Sequence, residues 1–174
     1  MSTATLASPV LEVEDDFEVN ELYQRNGWTD GLPIVAPTEE RVLRFVAAMG
    51  LQPADLLGTE SVRRRRITAE KVAIAAVMAG CLPDHMPVVA AVVRALCQPE
   101  FGLHGCTAST GGSAPLIIVN GPVRQQIGLN ATHNVFANGA RANASIGRTV
   151  RLLLINVLGG VPGRLVARLD ELLL

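Results

Sequence analysis

At 174 residues, with 49% hydrophobic and 18% charged side chains, the chain has the material for one domain with a sizeable core, which excludes disorder by composition over most of its length. Aromatics are only 3%, so the core falls to Ala, Val, Leu and Ile, and a stacking platform for nucleobases is excluded. Net charge is −1 but unevenly laid out: eleven of the sixteen acids precede Ser61, whereas Phe101–Leu169 holds six Arg and no Asp or Glu. Such a stretch suits an anionic ligand, an acidic partner surface, or pairing with the acidic first third of the same chain.

Met1–Val10 lacks the basic start and apolar core of a secretory signal and reads as a flexible tail ahead of a single α/β domain at 11–174. Residues 11–26 begin acidic and become weakly amphipathic, with Val19, Leu22 and Tyr23 on one helical face and Gly27 as the stop. Asp30-Gly31 marks a turn, and Pro33 and Pro37 enforce extended backbone. Thr38 is a good N-cap for a helix from Glu39 to Met49 that buries Val42, Phe45 and Val46 and ends at Gly50. A short helical turn is expected at Pro53–Leu57. The basic run Arg63–Arg66 reads as a helical approach segment facing solvent or a partner. Without aromatics or a known reader fold it does not indicate nucleic acid.

Thr68 caps a small apolar helix from Glu70 to Ala79 that Gly80 stops. Pro87 sits well at the first position of the next helix, which runs to about Cys97 and breaks at Pro99. The two form an Ala- and Val-rich helical hairpin. No apolar run reaches the roughly 20 residues of a membrane span, despite a mean hydropathy of +0.32. Phe101–Pro115 is the most irregular stretch, read as loop. Leu116–Asn120 is the clearest buried strand, and residues 123–127 suit a helical turn. After an Asn-rich loop comes a long helix from about Ala140 to Leu158, stopped by Gly159-Gly160, then a last helix at Leu165–Leu173. The fold class is therefore helix-rich α/β, with a helical hairpin, a few short buried strands and a long helix toward the C-terminus.

Three cysteines, Cys81, Cys97 and Cys106, form no disulfide framework and read as free thiols in a reducing compartment, which makes a cytoplasmic location the default. On an extended loop His104 and Cys106 would point to the same side of the backbone, placing an imidazole beside a thiol as base and nucleophile. Ser109-Thr110-Gly111-Gly112-Ser113 follows at once, and such a loop can aim backbone N–H groups at an anion or oxyanion. Cys81 and His85 lie in the hairpin turn and join the catalytic candidates. With His104 and Cys106 they could form a Cys2His2 metal set, but the Cys-x3-His spacing is unlike a structural zinc knuckle, and a transition metal is not favoured. Cys97 reads as core. Arg141, Ser145 and Arg148 share one face of the long helix, where two guanidiniums could clamp a carboxylate or phosphate, or lie solvated. Asn120 completes the substrate-binding candidates.

The stretches Gly27–Glu39, Glu70–Ile74 with Val77–Cys81, Ala114–Pro122 and Arg141–Arg148 together resemble the signature of a poorly characterised bacterial family, some of whose members are associated with thioredoxin-like UGSC-type (seleno)proteins. The resemblance spans residue 27 to about residue 163. Longer relatives continue past the Gly159–Gly163 element into a second half, so the resemblance implies a split, heteromeric assembly. The expectation is an enzyme subunit acting on a small anionic substrate by lyase, hydrolase or thiol-redox chemistry, self-associated or joined to a second protein. The alternatives are a structural subunit completing a partner's site and a metal-binding module.

Overall fold

A computed structural model describes residues 5–108, 114–137 and 139–161. The architecture is helix-rich α/β: α1 (Asp16–Arg25), α2 (Glu39–Ala48), a hairpin of β1 (Leu56–Glu60) and β2 (Arg65–Thr68), α3 (Ala69–Met78), α4 (Met86–Leu96), α5 (Leu103–Ala108), α6 (Val123–Gln126) and α7 (Arg141–Asn156). No helix among these residues is long and apolar enough to cross a membrane.

α3 is the centre of the core. Ala69, Val72, Ala73, Ala75, Ala76, Val77 and Met78 are all buried, so the helix is covered on nearly every side. Its small side chains let α2 and α7 pack closely on it, with α4 beside them. α2 contributes Val42, Phe45 and Val46, and α7 contributes Ile146, Val150, Leu152 and Leu153. Each fully buried Val or Leu adds about 1.5–3 kcal/mol. Thr38 and Thr68 cap α2 and α3 through their side-chain oxygens, and the chain leaves α1, α2 and α3 at Gly27, Gly50 and Gly80 with φ of 67°, 67° and 83°.

Several expectations are corrected. Pro53–Leu57 is not helical: a turn at Pro53-Ala54 leads straight into β1, because Leu57 and Ile67 bury one face of an antiparallel ribbon. The basic run Arg63–Arg66 is neither a helix nor wholly solvated. It forms the end of the hairpin turn and the start of β2, with Arg64 at φ 54° and Arg63 buried. Leu116–Asn120 pairs with no strand among the described residues. Ile117 and Val119 pack on the core while Leu116 and Ile118 are 67% and 75% exposed. Of the expected tail, Ala7 and Ser8 are tied down, their N–H groups donating to the Glu70 carboxylate at 2.7–3.1 Å. The helix expected at Leu165–Leu173 lies outside the described residues.

Candidate functional site

The hairpin places an acid where the sequence shows no sign of one. Glu60, the last residue of β1, is buried, and its carboxylate accepts from Val62 N at 3.0 Å and Arg63 N at 2.7 Å, closing the turn. Arg63 then reaches inward. Its guanidinium donates to the carbonyl of Leu158 at 3.1 Å, beyond the C-terminal end of α7, and to Thr107 Oγ1 at 3.3 Å on α5. Free carbonyls at a helix end favour a cation, so Arg63 staples the hairpin to both helices.

α5 brings His104 to the same place. Its Nδ1 is 3.6 Å from Glu60 Oε1, and it is the buried side-chain nitrogen that has no hydrogen-bond partner among the described residues. The side chain as a whole is 38% exposed, so the exposure belongs to the rest of the imidazole. An unpartnered buried nitrogen facing a buried carboxylate is an unfinished contact, one that a proton on Nδ1 would complete.

Cys106 does not share this arrangement. Residues 103–108 wind into a helical turn rather than an extended loop, and residues two apart on a helix diverge by about 200°. The Cys106 thiol lies 4.0 Å from the carbonyl of Phe101. The expected His104–Cys106 pair is thus replaced by His104–Glu60. Cys97, at the end of α4, sits under the hairpin, where burial and, secondarily, the charge of Glu60 push its thiol up. Ser109, Thr110, Gly111, Gly112 and Ser113 lie outside the described residues.

Cys81 and His85 form a second polar cluster, inside the core. Cys81 Sγ is 3.3 Å from Thr149 Oγ1, and His85 Nδ1 is 3.5 Å from Ser145 Oγ and accepts from Leu82 N at 3.3 Å. Ser145 and Thr149 donate in turn to the carbonyls of Arg141 and Ser145, each at 2.8 Å. All four side chains are buried. Burial pushes the Cys81 thiol up, against smaller lowering effects from Ser145, Thr149 and Arg141. These groups fasten α7 to the end of α3, and a buried thiol with a raised pKa is a poor nucleophile. Nor do they join His104 and Cys106 in a metal set: no group of three or more His, Cys, Asp or Glu among the described residues is placed to hold a metal ion.

The arginine clamp is also redrawn. Arg148 binds Asp30 through Nε at 3.0 Å and Nη2 at 2.8 Å, and the same Nη2 reaches the carbonyls of Leu32 and Pro33. Arg141 Nε donates to the carbonyl of Gly80 at 2.9 Å. Arg148 is therefore occupied within the protein and does not offer a matched pair with Arg141. Its partner Asp30 lies in the acidic first third, an instance of the internal pairing that the sequence left open, whereas Glu60 and Arg63 escaped sequence reasoning as site residues because only the tertiary fold brings them to their contacts.

Asn120 lies on the unpaired extended segment, which separates two grooves. The larger, of about 620 Å³, runs between Pro115–Asn120 and the outer face of α4. The other, of about 500 Å³, runs between the same segment and the first half of α7, where Arg124, Asn130 and Asn143 join its lining. Neither is lined by His104 or Glu60. Set against family models, curated proteins and solved structures, the chain matches none of them.

Proposed function

We propose that the chain is a subunit of an enzyme that transfers a proton to or from a small anionic substrate, with His104 as the proton-carrying group and Glu60 as the residue that orients it. The observation that carries this reading is the approach of His104 Nδ1 to the buried Glu60 carboxylate while the rest of the imidazole remains accessible. With a proton on Nδ1 directed at Glu60, Nε2 is left to exchange a proton with substrate, and the carboxylate stabilises the imidazolium that results. An anionic substrate is supported by the absence of any acid between Phe101 and Leu169 and by the Gly- and Ser-rich run directly after α5. The likeness of Gly27–Glu39 and Arg141–Arg148 to a family with longer members supports a shared assembly. Cytoplasmic residence fits the three free thiols.

A second reading, a structural subunit that completes a partner's site, is favoured by the position of the two large grooves away from His104. The test is a panel of small carboxylates and phosphate esters, followed by the His104 ring resonances and by product formation. Under the first reading at least one member perturbs His104, and His104→Gln lowers turnover by about 100-fold or more with an unchanged melting temperature. Turnover indifferent to His104, or binding that leaves its ring untouched, transfers the argument to the second reading.

A further inference from the structure

Two segments outside the helices and the hairpin lie at the surface of the described chain without a ladder partner. In Pro115–Asn120 the exposed Leu116 and Ile118 alternate with the half-buried Ile117 and Val119, the period of a strand with one free face. Its backbone makes no backbone–backbone hydrogen bond with another described residue. The other segment is Pro9–Val13, where Val10 and Leu11 are 78% and 50% exposed and the backbone is likewise unpaired among the described residues. This arm is fixed at both ends. Ala7 and Ser8 are bound to Glu70 on one side. On the other, Glu14 N donates to Glu18 and Asp15 caps α1.

The two segments are complementary in charge. Arg124 lines the groove alongside Leu116 and Ile118, in a stretch of sequence without acids. The arm carries Glu12 and runs into Glu14, Asp15 and Asp16. An exposed apolar segment with unpaired N–H and C=O groups is a template for an added strand, and an arm that carries carboxylates suits the Arg124 side. Within one copy the two segments are not paired.

We infer that the Leu116–Val119 segment of one copy is the docking site for the Pro9–Val13 arm of a second copy, with Glu12 or Glu14 facing Arg124. When each copy gives one arm and receives one, the arm of each meets the segment of the other and the assembly closes as an isologous two-fold dimer. The inference rests on the reading of this chain as a subunit and supplies one of its contacts.

The experiment is light scattering and analytical ultracentrifugation of the full chain, with four variants. The wild type is expected to be a dimer or larger. Leu116→Asp with Ile118→Asp dissociates it, and the melting temperature of the monomeric unit is retained because both residues are exposed. Arg124→Glu and Glu12→Arg combined with Glu14→Arg each weaken association, and the three charge reversals together restore it. Association that ignores the arm and the segment, or charge reversals that do not rescue one another, overturns the inference. A wild type that is monomeric alone but assembles with a different protein overturns it too, while leaving the subunit reading intact.

Discussion

The guanidinium of Arg148 grips the carboxylate of Asp30 with two hydrogen bonds across 118 residues of sequence, and the same side chain holds the carbonyls of Leu32 and Pro33. Asp30 belongs to the loop between α1 and α2, and Arg148 to the middle of α7. Asn156 adds a third tie from α7 to this loop, donating to the carbonyl of Trp28 at 2.8 Å, while Trp28 packs edge-on against Tyr23 of α1. Two stretches that stand out in the sequence as separate motifs are thus halves of one joint, and the joint holds the long helix in place.

Breaking the joint should be costly. Asp30→Asn removes a charge-assisted bidentate contact in a largely buried place and is expected to lower stability by about 2 kcal/mol. Burial alone would raise the Asp30 carboxyl, but the bonds and charge of Arg148, with help from its own backbone and Thr29, override that and hold it below the ordinary value. A carboxyl depressed on folding contributes stability above its unfolded value of about 3.9, lost as pH falls through the lower folded value. Urea melts at pH 7 and pH 3 check both halves. The gap between wild type and Asp30→Asn should be wide at pH 7 and narrow at pH 3, and an equal gap at both would contradict the pairing.

The same hairpin that presents Glu60 depends on a missing side chain. Gly58 faces Cys97 so closely that a Cβ added there would fall 2.6 Å from Cys97 Cβ. Gly58→Ala should therefore destabilise by about 1–3 kcal/mol through overpacking. Gly147 provides the contrast: it lies inside α7 with open space around its Cβ direction, so Gly147→Ala should stabilise by about 1 kcal/mol through helix propensity. Opposite signs in chemical denaturation are the expected result. A neutral Gly58→Ala would mean that the hairpin stands further from α4 than it does here.

What could be read from the sequence was whatever local chemistry decides. Thr38 and Thr68 announce helix starts, Gly27, Gly50 and Gly80 announce stops, and the spacing of Val42, Phe45 and Val46 defines a face. What could not be read depended on a partner distant in sequence. Leu116–Val119 has the composition of a buried strand, but a strand is buried only if another strand or layer covers both faces, and here one face stays open. His104 and Cys106 looked like a pair because Gly105 between them gives no periodicity from which to tell a six-residue helix from a loop. Glu60 was invisible as a site residue, since an acid among charged neighbours normally faces solvent. Only the turn that needs its carboxylate puts it inside.

The buried cluster at the end of α3 gives the protein a pH dependence of its own. Burial, and secondarily the positive charge of Arg141, hold His85 below the ordinary histidine value, against a smaller raising effect from Asp84. The geometry agrees with the direction. His85 Nδ1 already accepts from Leu82 N, so a proton added at Nδ1 would lose that bond and face its donor, with only the more distant Ser145 Oγ, at 3.5 Å, beside it to accept. The unfolded chain, by contrast, takes up that proton near pH 6.5. A histidine depressed on folding contributes stability that is complete above the unfolded value and is lost as pH falls through the folded one. Melting temperature should therefore drop between pH 7 and pH 5, and His85→Gln should flatten that part of the profile. If the slope survives in His85→Gln, the protonation that destabilises the fold belongs to another group, and the neutral, hydrogen-bonded His85 described here is not what couples the core to pH.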